Sequence, residues 1–259
     1  MKVAYKHLLR FLPENPNKLD ISKRLFQLGH EHQIDKDIFD FEFTPNRGDC
    51  LSLMGIARDL NIFYNVNLEP ESYGEKIPSL DLDFTNKETI SCPRISFLHI
   101  EIEEATDEYK SYLSDYFEDL GLQRINFFTD ISNFLAYELG QPTHCYDFKK
   151  ISPKITLKKS DKNSEFSPLF GKEINLHDPE LVFTDKKSII NLAGVMGSKS
   201  SGCNKSTKSV LVECAYFKPE AIIGKTLKYN FVSDAAYKFE RGVDPNSHEK
   251  VLRRFIQIV

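Results

Sequence analysis

The amino-acid sequence lacks the marks of membrane, secreted and disulfide-stapled proteins. None of its apolar stretches approaches the length of a bilayer-spanning helix, and its start, MKVAYKHLLRFLPENPNK, is too polar for a secretory signal. The few cysteines are scattered without a Cys-x-x-Cys pair, at Cys50, Cys92, Cys145, Cys203 and Cys214. We therefore expect a cytoplasmic protein with reduced thiols, no metal site and no membrane contact.

Common nucleotide-binding and hydrolase motifs are also missing. A phosphate-binding loop needs Gly-x-x-x-x-Gly-Lys-Ser/Thr, but in NLAGVMGSKSSG, residues 191–202, Gly194 and Gly197 are too close together and Lys199 follows no glycine. No Gly-x-Gly-x-x-Gly and no Gly-x-Ser-x-Gly motif occurs. The stretch is typical of a turn between two strands. Its spacing alone leaves open whether the glycines hold phosphates or clear space for another group.

An overall positive charge is absent as well. Lysine and arginine number 34 against 38 aspartate and glutamate residues, which gives a formal net charge of −4. Such a surface does not attract RNA indiscriminately, so any nucleic-acid contact has to be local or shared with a partner that supplies the positive field. The fractions of charged residues, 28%, and hydrophobic residues, 41%, are ordinary for a globular protein.

What the sequence contains is a mixture of helical and strand patterns. In residues 1–72 apolar residues recur at helical spacing, with Asn17 and Gly29 as the end signals of one helix, which predicts a small helical domain. Residues 73–245 combine helices that end at glycines with strand-like segments such as SVLVECAYF. Residues 246–259 begin a helix that leads to a next domain. Strands interleaved with helices predict an α+β or mixed α/β fold with a mixed sheet.

Two side chains stand out as candidates for chemistry. His144, in GQPTHCYD, follows the end of a predicted helix, whose negative end would favour the charged imidazole; a packed or surface histidine is the simpler alternative. Glu213 lies inside an apolar strand, where a carboxylate is costly unless a donor or ligand meets it, and a structural hydrogen bond is equally compatible. His30 and His32 would share a strand face, but without a third ligand they do not predict a metal site.

Four blocks of the sequence, in the same order, resemble the β subunit of bacterial phenylalanyl-tRNA synthetase. FTPNRGDCLSLMGIARDL is similar to that family's Thr-Pro-Asn-Arg-x-Asp-Cys segment, and DISNFLAYELGQPTHCYDF to its Glu-Leu-Gly-Gln-Pro-x-His-x-hydrophobic-Asp stretch. LAGVMGSKSSGCNKSTKSVLVECAYF and SDAAYKFERGVDP match two further blocks. In the family this region forms a small helical domain and an α/β editing domain. The resemblance therefore implies hydrolysis of tyrosine wrongly esterified to phenylalanine tRNA.

The resemblance also implies roles for individual residues. The family's editing histidine falls on His144 and its pocket glutamate on Glu213, which become the expected catalytic residues. The expected substrate-binding residues are Gly194, Gly197, Ser233, Ala235 and, more weakly, Asn133. A buried Glu213 would accept a hydrogen bond from the tyrosine hydroxyl, worth about 1.5–3 kcal/mol, whereas phenylalanine would leave the carboxylate unpaired. His144 would orient the substrate's amino group or a water molecule, or act as a base.

Three departures from the family pattern stand beside the resemblance. Ser233 replaces a threonine, Ala236 occupies a position where serine is common, and no tRNA-binding OB-fold is inserted after HEHQIDKD. The chain also ends before the domains that dock the catalytic α subunit. The expected partners are that α subunit and the 3′ end of tRNA(Phe). We expect no cofactor in this chain, whereas the holoenzyme would use ATP and magnesium. A free-standing trans-editing deacylase and a non-catalytic structural or docking module remain the alternatives.

Overall fold

The computed structural model describes residues 1–259 and has eight α-helices and thirteen β-strands. The helices are α1 (Tyr5–Leu9), α2 (Lys18–Gln27), α3 (Leu53–Leu60), α4 (Ser111–Leu120), α5 (Phe127–Leu139), α6 (Lys225–Tyr229), α7 (Asp234–Arg241) and α8 (His248–Ile258). The strands are β1 (Lys2–Ala4), β2 (His32–Asp35), β3 (Ile38–Phe41), β4 (Asp83–Asn86), β5 (Arg94–Glu101), β6 (Thr143–Asp147), β7 (Lys154–Lys159), β8 (Ser164–Phe166), β9 (Ile174–Leu176), β10 (Leu181–Thr184), β11 (Ile189–Leu192), β12 (Met196–Gly197) and β13 (Ser209–Tyr216). The predicted α+β class is confirmed.

Helix ends follow the capping signals of the sequence. The side chains of Asn17, Ser52 and Asn126 each accept a hydrogen bond from a backbone N–H three residues ahead, at the starts of α2, α3 and α5. Gly121 and Gly140 adopt the left-handed conformation that ends α4 and α5. None of the helices combines the length and the apolarity that crossing a bilayer requires.

The strands form four sheets, one of which is mixed. The largest has the order β12-β11-β10-β7-β4, and only its β4–β7 pair is parallel. An antiparallel sheet places β13 between β5 and β6, and β8 pairs with β9. The remaining sheet, β1-β3-β2, belongs to the N-terminal segment that we expected to be helical. Its strands have only three or four residues each, which is too short for their alternating pattern to compete with the helical periodicity around them.

Two hydrophobic cores meet at strand β13. The first core joins side chains of the N-terminal segment to α4, α5 and α8, and the second lies among the strands of the large sheet. Val212 and Cys214 contribute to the first core, whereas Leu211 and Ala215 contribute to the second. Because side chains alternate along a strand, Glu213 points to the side of Leu211 and Ala215. The first core contains side chains from both sides of the predicted domain boundary after residue 72. The division into domains stays a prediction.

Candidate functional site

The register of β13 against β6 brings the two expected catalytic residues together. Glu213 lies directly opposite His144 in this antiparallel pair, so both side chains project from the same face of the sheet. Glu213 is 3% exposed. The apolar residues on both sides of it bury the strand, which explains why a carboxylate in the run SVLVECAYF is withdrawn from water.

The carboxylate of Glu213 already has partners within the protein. The hydroxyl of Tyr146 donates a 2.6 Å hydrogen bond to Glu213 Oε2. Asn191 Nδ2 donates to the same Tyr146 hydroxyl at 3.0 Å and lies 3.5 Å from Oε2. Both contacts use one oxygen, and Oε1 accepts no hydrogen bond. Glu213 also lines a cavity. One acceptor of the carboxylate is therefore available to a ligand.

Burial changes the protonation of both facing residues. Removal of Glu213 from water raises the pKa of its carboxyl group to about 7, against the opposing hydrogen bonds of Tyr146 and Asn191. Burial lowers the pKa of His144 to about 4. The expected effect of a helix end on His144 is therefore wrong, since the residue lies in strand β6 and desolvation determines its charge state. At neutral pH the imidazole is uncharged.

The imidazole of His144 is packed against the glycine-rich hairpin. Its Nε2 is buried and has no hydrogen-bond partner in the protein. A Cβ atom at Gly197 would lie 2.3 Å from His144 Cε1 and 2.8 Å from Nε2. A Cβ atom at Gly194, whose φ of +71° already favours glycine, would lie 2.7 Å from Ile222. The glycines thus clear space for side chains of the fold, and the stretch is the predicted turn between strands, β11 and β12.

These residues enclose a small cavity that we call the acyl pocket. Its volume is about 60 Å³, and its lining includes His144, Glu213, Gly194, Gly197 and Ala235 among the expected site residues. The other lining residues are Pro142, Thr143, Asn191, Val195, Met196, Phe217 and Phe239.

Two expected substrate-binding residues lie outside the acyl pocket. Ser233 caps α7 by accepting from the N–H of Ala236, and its hydroxyl donates to the carbonyl oxygen of Val195 at 2.7 Å. Ser233 therefore connects the start of α7 to the β11–β12 hairpin and does not line the cavity. Asn133 lines a neighbouring, larger cavity.

Sequence reasoning missed the two residues that contact the carboxylate. A signal for Tyr146 was present, because it follows His144 by two positions in one strand and therefore shares its face. Asn191 had no comparable signal, since it lies in β11 of the large sheet and reaches Glu213 only because that sheet packs against the separate sheet that contains β13.

A separate cluster contains His30, Cys50 and Asp59, whose potential metal-binding atoms lie within 4.8 Å of one another. Only His30 of the histidine pair takes part, and the other two residues of the cluster, Cys50 and Asp59, come from a different part of the chain. A positive charge is already present there, because Arg47 Nη2 lies 2.5 Å from Asp59 Oδ2 and 2.8 Å from Cys50 Sγ. His32, the other histidine of the pair, contacts Ser22 and the carbonyl oxygen of His30 instead. The arrangement is an arginine–carboxylate network.

Comparison with known proteins places the chain in a family. The model of the B3/4 domain matches residues 91–259. The phenylalanine–tRNA ligase beta subunit of Photorhabdus laumondii is 33% identical over 233 residues, which cover 88% of this chain and 29% of the relative. The corresponding subunit of Fusobacterium nucleatum is 34% identical over 231 residues, with 86% and 28% covered.

A solved structure also resembles this chain at a greater distance. It is an N-terminal fragment of the phenylalanyl-tRNA synthetase beta subunit from Pyrococcus horikoshii, with a TM-score of 0.43 and 16% identity over 92% of this chain and 73% of the fragment. The chain spans less than a third of the length of the two bacterial relatives. It belongs to the B3/4 domain family and has phenylalanine–tRNA ligase beta subunits among its homologues.

Proposed function

We propose that this chain is the editing region of a bacterial-type phenylalanyl-tRNA synthetase β subunit and hydrolyses tyrosine that has been esterified to tRNA(Phe). The single observation that carries the proposal is the available Oε1 of Glu213, withdrawn from water and lining a cavity beside an unpartnered imidazole nitrogen. A tyrosyl hydroxyl would donate to Oε1, whereas a phenylalanyl ring would cover this oxygen without satisfying it. Leaving a buried acceptor unpaired carries a desolvation penalty, and this difference separates the two amino acids.

The neutral state of His144 suits an ester substrate. An aminoacyl ester is already activated, so the reaction needs a positioned water molecule and no covalent enzyme intermediate. An imidazole with a pKa of about 4 is uncharged at neutral pH, and its free nitrogen can accept a hydrogen bond from that water or from the substrate's amino group. The hydrolysis needs no cofactor; ATP and magnesium would serve the ligase reaction of the holoenzyme. The α subunit and the 3′ end of tRNA(Phe) are the proposed partners.

The acyl pocket has to widen to admit an aromatic ring. Its volume of about 60 Å³ is well below the roughly 150 Å³ of an engineered cavity that binds benzene. The hairpin residues Val195 and Met196 line the pocket. Ser233 holds Val195 by one hydrogen bond. We infer that this short hairpin, rather than the sheet beneath it, moves to admit the ring.

One observation favours a second candidate, a non-catalytic module of the synthetase. Tyr146 supplies a phenol to Glu213 from within the protein, at a position where the resemblance has a hydrophobic residue. In that case the carboxylate would be a structural acceptor and the pocket would have no ligand.

Deacylation of charged tRNA distinguishes these candidates. The editing proposal expects the purified chain to hydrolyse Tyr-tRNA(Phe) faster than Phe-tRNA(Phe), and Glu213→Ala to reduce this preference about ten- to hundredfold. Glu165→Ala, at an exposed glutamate of β8, is the matched control and should retain the preference. Circular dichroism establishes that each variant is folded. Deacylation of both tRNAs at the uncatalysed rate by the folded wild-type chain would leave the non-catalytic module as the better explanation.

A further inference from the structure

Tyr146 contacts both expected catalytic residues of the acyl pocket without lining the cavity itself. Its side chain is fully buried and is not among the residues that line the cavity. Its hydroxyl donates to Glu213 Oε2 at 2.6 Å, and its ring packs edge-on against the imidazole of His144, with 4.4 Å between the ring centres. The residue can therefore influence both groups without touching a ligand in the cavity.

The hydrogen bonds of Tyr146 restrict how the carboxylate can turn. Asn191 Nδ2 donates to the phenol oxygen at 3.0 Å, so the phenol proton is left for Oε2 of Glu213. The ring is held in the second core, directly opposite Leu211 of β13. The terminal torsion of a glutamate side chain is otherwise broad. Because rotation of the carboxylate would break the bond from this fixed ring, Oε1 is confined to one position.

A single acceptor in a fixed position distinguishes where a hydroxyl lies on an aromatic ring. The hydroxyl of a para-hydroxyphenyl group extends along the ring axis, whereas a meta hydroxyl points to one side of it. If Oε1 of Glu213 meets the para hydroxyl, a meta hydroxyl leaves both itself and Oε1 without a partner, which weakens binding by about tenfold or more. A carboxylate that rotated freely would follow the displaced hydroxyl and lose this selectivity.

We propose that Tyr146 is a positioning residue that restricts the acyl pocket to aromatic acyl groups with a para hydroxyl and makes it reject meta-hydroxyphenyl groups. The inference rests on the proposed editing function, because it names the acyl groups that the same site accepts. It also gives the bond between Tyr146 and Glu213 a role in a site that binds a ligand. The bond engages Oε2 and leaves Oε1 as the one acceptor for the substrate hydroxyl.

Binding of free amino acids tests this selectivity without any need for hydrolysis. The wild-type chain should bind L-tyrosine about tenfold more tightly than L-meta-tyrosine, measured through the amide NMR signal of Glu213. Tyr146→Phe keeps the ring and removes the bond to Oε2, so its two affinities should agree within about twofold. Tyr109→Phe is the matched control and should retain the wild-type preference, because the Tyr109 hydroxyl donates at 2.6 Å to Asp130, and neither residue lines the acyl pocket. A preference that persists in Tyr146→Phe, or a wild-type chain that shows none, would overturn the inference.

Deacylation then separates this inference from the proposed function. The ratio of kcat/KM on Tyr-tRNA(Phe) to kcat/KM on tRNA(Phe) charged with meta-tyrosine should be about ten for the wild-type chain and about one for Tyr146→Phe. A merely structural role of Tyr146 predicts equal losses on the two esters and an unchanged ratio, and this result would refute the positioning role while editing stands. If the wild-type chain hydrolyses neither ester but binds the two amino acids with the expected preference, editing fails and the selectivity of the acyl pocket stands.

Discussion

Replacing the buried Glu213 by glutamine should stabilise the fold at high pH. Glu213→Gln keeps the shape of the side chain and removes its ionisation. Burial raises the pKa of the Glu213 carboxyl group from 4.5 to about 7. At about 1.4 kcal/mol for each pH unit, the wild-type protein loses about 3 kcal/mol of unfolding free energy when this carboxyl group ionises in the folded state.

The sign and the pH window of the effect follow from proton binding. Below pH 4.5 the carboxyl group is protonated in both the folded and the unfolded chain, so its ionisation does not affect stability. Between pH 4.5 and 7 the unfolded chain releases the proton first, and the wild-type protein loses stability as the pH rises. Above pH 7 the loss is complete. The advantage of Glu213→Gln should therefore grow across this window and then level off.

Urea unfolding of the wild-type and variant chains between pH 4.5 and 8.5 measures this difference. Glu165→Gln, at an exposed glutamate, is the matched control and should show no such pH-dependent gain. Tyr146→Phe provides a second arm: it removes a hydrogen bond that lowers the pKa of Glu213, so the loss of stability should still begin near pH 4.5 but continue further above pH 7 and become larger in total. A stability difference between wild type and Glu213→Gln that does not change with pH would refute the reasoning.

Two further predictions concern the hairpin above the acyl pocket. Gly197→Ala places a Cβ atom 2.3 Å from His144 Cε1, so the imidazole must move and Tyr-tRNA(Phe) deacylation should fall by a factor on the order of a hundred. Gly74→Ala is the control, because no atom lies within 4 Å of the added Cβ, and it should leave the deacylation rate unchanged. Full deacylation activity of Gly197→Ala would contradict the packing of His144 against Gly197. Ser233→Ala should lower the unfolding free energy by about 1 kcal/mol, because it removes the cap of α7 and the bond to Val195. Ser233→Thr keeps the hydroxyl and should retain the wild-type stability in the same urea titration; an equal loss in both variants would argue against the cap.

Short-range features of this protein could be predicted from its sequence. Asn17 and Gly121 cap helices because the groups that they satisfy lie within a few residues along the chain. The strand at SVLVECAYF and the hairpin turn at Gly194 also depend on local patterns. The three-stranded sheet of the N-terminal segment was missed because its strands are too short to show an alternating pattern, and because β1 pairs with β3 from the far side of α1 and α2.

The sequence by itself determined the α+β class, several helix ends such as those at Asn17, Gly121 and Gly140, and the two chemical groups, an imidazole and a carboxylate, that line the acyl pocket. It did not determine the start of α5, which was expected at Asp130 or Ser132 but lies at Phe127, because Asn126 supplies the cap. Only the tertiary structure decided the charge and the hydrogen bonds of the imidazole and the carboxylate. The hydroxyl of Tyr146 reaches Glu213 from 67 positions away, and the imidazole of His144 is uncharged because burial of part of the ring lowers its pKa. Burial and hydrogen bonding set a pKa, and both arise when strands that are far apart in sequence become neighbours in a sheet.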